Sequence, residues 1–133
     1  MSCQASRTKM KQMIAKEDIV CFKVVDYNKK TKQMFSFDEH CYTEFKFDKC
    51  HICDERFYQK IETWHGYNEY VMYYGGYLSY RDFGSALQNK YGNKKVLKCI
   101  IPQGSKYYEG SLQTSYWPTY YSKELIVKDI VCD

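Results

Sequence analysis

The last forty residues constrain the fold more than any other part of this chain. Lys94-Lys95-Val96-Leu97-Lys98-Cys99-Ile100-Ile101 is an apolar, β-branched run, as a strand requires. Pro102-Gln103-Gly104 then imposes a sharp turn, because proline fixes φ and glycine supplies a positive φ at no steric cost. Tyr107-Tyr108 reads as a short returning strand, and a Tyr-rich loop follows over 110–122. The chain closes on a final strand, Leu125-Ile126-Val127-Lys128-Asp129-Ile130-Val131. A β-sheet is therefore required, whatever else the chain contains.

The same patterns recur upstream. Ile19-Val20-Cys21-Phe22-Lys23-Val24-Val25 is nearly continuous in apolar residues and reads as a central strand covered on both faces. Met34-Phe35-Ser36-Phe37 begins a shorter one. From Tyr42 to Asp48 the chain alternates, with Phe45 and Phe47 on one face and Glu44, Lys46 and Asp48 on the other. Residues 48–55 read as a loop, and Tyr70 to Tyr74 as a strand ended by Gly75-Gly76. One helix is predicted over about 81–91, capped by Ser79 or Asp82 and stopped at Gly92-Asn93. Phe83, Ala86, Leu87 and Tyr91 have the spacing of one buried helical face. The expected fold is α+β: a single small domain over 17–133, mostly antiparallel or mixed sheet with one main helix, preceded by a mobile basic arm over 1–16. Met10, Met13 and Ile14 sit at helical spacing within that arm and predict a frayed helix.

Charge is distributed to match. The chain carries 20 bases against 16 acids, a net charge of +4. Arg7, Lys9, Lys11 and Lys16 all lie in the arm, which has no acid, so the remaining body holds 16 of each sign. Binding to duplex nucleic acid calls for a concentrated basic face and favours arginine, and only Arg7, Arg56 and Arg81 are present. No segment approaches the roughly 18 apolar residues of a membrane-spanning helix, and no apolar signal-peptide core opens the chain. A cytoplasmic protein with neither a membrane nor a specific duplex partner is expected.

Seven cysteines, at 3, 21, 41, 50, 53, 99 and 132, are then read as reduced. Cys21 and Cys99 fall inside apolar strands and read as small core residues. Cys50-His51-Ile52-Cys53 has the bite of a zinc chelate, which Cys41 and His65, or His40, would complete. A second such pair at zinc-finger spacing is missing, so a strand-connecting loop competes with zinc as the reading of this segment.

The aromatic content is 18%, with 15 tyrosines supplying most of it. One cluster comprises Trp64, Tyr67, Tyr70, Tyr73, Tyr74, Tyr77 and Tyr80; a second comprises Tyr107, Tyr108, Tyr116, Trp117, Tyr120 and Tyr121. Such rings either cover the edges of a small sheet or form a recognition surface for a protein or a planar base. The candidate ligand-binding set is Tyr80, Tyr107, Tyr108, Tyr116, Trp117 and Tyr120, with Lys106, Lys98 and Arg81 as anion partners. No P-loop or dinucleotide fingerprint accompanies them.

Gly76-Tyr77-Leu78-Ser79-Tyr80, the helix with Ala86, the run from Val96 through Pro102-Gln103-Gly104-Ser105-Lys106-Tyr107-Tyr108-Glu109-Gly110, and Ile126-Val127-Lys128-Asp129-Ile130 together resemble a group of small proteins of bacteriophages and Bacteroides-type bacteria. The resemblance covers the C-terminal half and the strand at Ile19–Val25. Members often carry a Gly-Phe-His-Ser-Phe-like run before the helix; here Leu78 stands at the His position. The Ile-Pro-x-Gly strand end is also similar to the C-terminal half of ADP-ribosyltransferase-type folds. The catalytic carboxylate that this likeness implies is replaced by Lys94, Lys95 and Lys98, which leaves Glu109 or Glu124 as the substitute. The resemblances imply a phage-derived, non-enzymatic binding module that interferes with host defence, its partner being a host protein or a nucleotide-like signal. A divergent transferase and a zinc-stabilised interaction domain are the alternatives, and self-association is left open.

Overall fold

In the computed structural model, the described residues are 4–6, 12–38, 41–53, 57, 59–63, 70–111 and 118–132. Within helices and strands, side chains are described except at 4–6, 37, 38, 41, 59–63, 70–74, 110 and 111. The chain order is β1 (Gln4–Ser6), β2 (Gln12–Ile14), β3 (Ile19–Asn28), β4 (Gln33–Asp38), β5 (Cys41–Phe45), β6 (Cys50–Ile52), β7 (Gln59–Thr63), β8 (Tyr70–Tyr74), β9 (Tyr77–Tyr80), α1 (Phe83–Gln88), β10 (Lys95–Ile101), β11 (Lys106–Ser111), β12 (Pro118–Ser122) and β13 (Glu124–Cys132). Every pairing between these strands is antiparallel. The protein is thus a small, mostly antiparallel β structure with one short helix.

The large sheet runs β2-β11-β12-β9-β3-β10-β13-β6. β12 and β13 are separated by Lys123 alone, so one bent strand occupies two places on that path. The segment β12-β9-β3-β10-β13 therefore returns to the strand it left, in the manner of a small barrel, which removes most open edges. The bend is made possible by the turn at Pro102–Ser105, which inserts extra residues opposite Lys123. There Ser105 N donates to Pro102 O at 3.0 Å and Lys123 N to Lys106 O at 3.0 Å. Gly104 sits at φ 90° in that turn, as the Pro-x-Gly pattern requires. The β4–β5 hairpin extends from the far half of β3, and β1-β8-β7 form a separate three-stranded sheet.

Strand alternation fills the interior. Cys21 and Val25 of β3, Leu97, Cys99 and Ile101 of β10, and Leu125 and Val127 of β13 are fully buried in one cluster, closed by Phe45 and Tyr77. Phe45 meets the Tyr77 ring edge-on at 5.9 Å and the His51 ring at 5.0 Å. Lys23 shares the inward parity of Cys21 and Val25 and is only 2% exposed; its amine donates to Leu78 O at 2.6 Å. The opposite face of the same strands carries Phe22, Val24 and Val96, over which α1 places Ala86.

Four elements differ from expectation. The stretch 110–122, read as a loop, holds β12 at Pro118–Ser122, because β9 and β11 both pair with it. Cys50–Ile52, read within a loop, is a strand on the edge of β13. Gln12–Ile14 is a strand paired with β11, and Ala15 is buried, bonded through its backbone to Gly104 and Ser105. The helical spacing of Met10, Met13 and Ile14 thus loses to the free hydrogen-bonding edge of β11. The helix is also shorter than 81–91. Asp82 caps it, its carboxylate accepting from Ser85 N at 2.7 Å and Ser85 Oγ at 2.9 Å. It ends at Asn89, whose side-chain amide donates to Ser85 O at 2.7 Å. Of its predicted buried face only Ala86 is enclosed; Phe83 and Leu87 stay partly open, and Tyr91, beyond the helix end, is 72% exposed.

Candidate functional site

The predicted ligand set separates into three places. Arg81, Tyr107 and Tyr120 come together. Register puts Tyr120 of β12 between Ser79 of β9 and Glu109 of β11, all on one face. Arg81 follows β9 directly, and its backbone N donates to Pro118 O at 3.1 Å. Its guanidinium meets the Glu109 carboxylate at 2.9 Å and lies 5.8 Å from the centre of the Tyr120 ring. Tyr107 meets Tyr120 edge-on at 5.7 Å. Burial raises the phenol pKa of both tyrosines; near Tyr120 the Arg81 charge opposes that rise and Glu109 adds to it.

Tyr108 and Tyr80 lie elsewhere. Tyr108 is 6% exposed and stacks on Phe57 at 5.1 Å, with Tyr121 and Leu78 beside it. Tyr80 is 7% exposed against Ala86 and Val96. Rings enclosed in this way present no free face to a planar base. The sequence offers their number but not their side, because a tyrosine-rich strand reads alike whether its rings line a core or a surface. Tyr116 and Trp117 lie outside the described residues, as do Trp64, Tyr67, His40 and His65. Tyr70, Tyr73 and Tyr74 are placed by backbone only.

The three predicted anion partners do not converge. Lys106 borders an open depression of about 250 Å³ with Lys123, Glu124, Ile52 and Gly104. Lys98 stands opposite Phe22 on the outer face of β10. Only Arg81 belongs to the Tyr120 cluster.

Cys50 and Cys53 are divided by strand parity. Cys50 and Ile52 of β6 point outward, while His51 is buried and Cys53 packs on the core. Residues three apart along an extended chain face opposite sides, and the two thiols accordingly diverge here. The segment forms a strand instead of the expected loop because β13 offers its edge from Glu124 to Ile126. His51 is taken up by backbone: its Nε2 accepts from Lys46 N at 3.1 Å. Burial, the dominant cause, pushes its pKa down. The side chain of Cys41 is not among those described. Among the described residues no three His, Cys, Asp or Glu side chains converge as metal ligands.

The interior is more polar than sequence alone conveys. Burial pushes the Cys21 thiol up to about 12 and the Cys99 thiol well above its ordinary value. The Oγ atoms of Ser79 and Ser122 are buried without a hydrogen-bond partner among the described residues, although the Ser79 hydroxyl is near enough to Cys21 to favour its thiolate slightly. The carboxylates considered as catalytic substitutes do not meet: Glu109 is held by Arg81, and Glu124 accepts from the Cys50 thiol at 3.7 Å.

A surface that sequence reasoning missed lies on the face of β3 opposite Cys21. The six-residue helix covers the Val24 and Val96 end of that face, and among the described residues no further layer covers the rest. Val20 is 46% exposed there, and register sets Ile100 beside it and Ile126 beside Ile100. Phe22 meets Phe83 edge-on at 5.8 Å, and Leu87 lies one turn further along α1. Lys98 stands beside Phe22 at the margin of these apolar groups. The only sequence signal was the parity of Val20 and Phe22, read as a face covered by another layer. Comparison with protein-family models, curated proteins and solved structures finds no match. No helix among the described residues is long and apolar enough to cross a membrane.

Proposed function

We propose that this protein is a non-enzymatic binding module whose partner is a protein, in line with the expected phage origin and a bacterial host protein as target. The supporting observation is the exposed Val20, Phe83 and Leu87 around the partly buried Phe22, bordered by Lys98. Aromatic residues grouped on one exposed patch are what protein interfaces enrich at their energetic centres. Lys98, which makes no ion pair among the described residues, supplies a positive charge at the margin. The partner segment therefore carries apolar side chains flanked by an acidic one. Its carboxylate meets Lys98, and its apolar groups cover Phe22 and Phe83. The burial of Tyr80, Tyr107 and Tyr108 argues against a nucleotide stacked on those rings.

The test is affinity capture from bacterial lysate with wild type, Lys98→Glu and Phe83→Ala proteins, each first shown by circular dichroism to be folded. One protein held in stoichiometric amount by wild type and lost from both variants supports the reading. A small-molecule nucleotide recovered in stoichiometric amount with all three overturns it.

A further inference from the structure

The sequence singles out Cys50 and Cys53 as a candidate metal-binding pair, and the fold parts them; the pair it brings face to face is Cys21 and Cys99. They are direct partners in the antiparallel register of β3 and β10. That register is unbroken from Lys95↔Val25 to Ile101↔Ile19, so both side chains leave the sheet on the same side. Both enter the same core cluster and both are 0% exposed. Opposed residues in antiparallel strands have Cα atoms about 4.5–5.5 Å apart. That span falls inside the roughly 4.4–6.8 Å that a disulfide bridges. Proximity also shows electrostatically, Cys21 adding to the rise in the Cys99 thiol pKa that burial dominates.

We propose that Cys21 and Cys99 are an oxidative modification site that closes into a cross-strand disulfide with a low-molecular-weight disulfide such as oxidised glutathione. The thiolate of Cys21 attacks one glutathione sulfur, forming a mixed disulfide and expelling the first glutathione. The thiolate of Cys99 then attacks the Cys21 sulfur and expels the second. One disulfide is reduced to two glutathione thiols, the protein pair loses two electrons, and the two protein protons end on the two glutathiones. The attacking species is the thiolate, and the enclosed thiols are held protonated. Reaction therefore requires β3 and β10 to be open, as they are before folding completes. The bond would tie together two neighbouring strands on the closed path of the sheet, over a long loop of chain, and so restrict the unfolded ensemble.

The experiment refolds the full chain from urea in oxidised and reduced glutathione, alkylates remaining thiols, and maps peptides without reduction. The expected result is a Cys21–Cys99 link as the main intramolecular species, with a urea midpoint above that of the reduced protein and restored to it by dithiothreitol. The same buffer added to native protein should produce the link far more slowly. Cys21→Val should abolish both the link and the midpoint rise. Alkylated Cys21 and Cys99 beside disulfides among other cysteines would overturn the proposal. So would a linked form with a lower midpoint than the reduced one. The wild-type peptide map decides even if Cys21→Val does not fold.

Discussion

The Arg81 guanidinium stands 2.9 Å from the Glu109 carboxylate and over the Tyr120 ring, so that one cation joins the end of β9 to β11 across β12. Both charged groups are partly open to solvent, which limits what the pair adds to stability. Glu109→Gln should therefore cost only about 0–1 kcal/mol in urea unfolding. The pair lies on the side away from Phe22, so Glu109→Gln should leave partner retention in capture unchanged, whereas Lys98→Glu should abolish it. Loss of retention in Glu109→Gln would instead place this pair in recognition.

Ser122 offers a test of the interior. Its hydroxyl is fully buried and has no hydrogen-bond partner among the described residues. A buried polar group left unpaired carries a desolvation cost of about 1–3 kcal/mol. Ser122→Ala removes that hydroxyl with little change of volume, and is expected to raise the urea midpoint. A lowered midpoint would mean that the hydroxyl is bonded in solution.

Gly76 tests the close approach of β9 to β12. Its φ is 107°, and a Cβ there would stand 2.8 Å from the Ser122 carbonyl oxygen and 3.0 Å from the Phe57 ring. Gly104, at φ 90°, would place a Cβ in open space. Gly104→Ala thus carries backbone strain alone, of about 1–3 kcal/mol. Gly76→Ala adds a backbone clash and should be the more destabilising of the two by thermal melts. The reverse order would contradict the strand placement.

His51 predicts a pH dependence. Burial lowers its pKa below the ordinary 6.5. The unfolded chain therefore takes up a proton before the folded one does. Its contribution to stability is complete above pH 6.5 and is lost as pH falls from there through the lower folded value. Urea midpoints measured between pH 8 and 5 should decline below pH 6.5, and His51→Gln should flatten that part of the decline. An unchanged slope in the variant would assign the effect to other groups.

Much of the sheet was legible in sequence, because runs such as Ile19–Val25 and Val96–Ile101 combine β-branched residues with clear bounds at a turn. The observed β3 and β10 contain those runs, and the turn at Pro102–Ser105 falls where proline and glycine require it. Three features were hidden for two reasons. Gln12–Ile14 and Cys50–Ile52 have no strong strand pattern of their own and become strands because β11 and β13 present edges to them. The helix stops early at a side-chain cap that spacing alone does not reveal. The proposed recognition surface was hidden further still: Val20 and Phe22 look like core in sequence, yet Val20 is 46% exposed and Phe22 is only partly buried beside the short α1.

Hydrogen–deuterium exchange of the protein alone and bound to its captured partner tests the interface most directly. Protection confined to peptides spanning 19–22 and 81–88, with Lys98 at its margin, is the predicted result. Protection that leaves those peptides unchanged and falls instead on the depression around Lys106, Lys123 and Glu124 would contradict it.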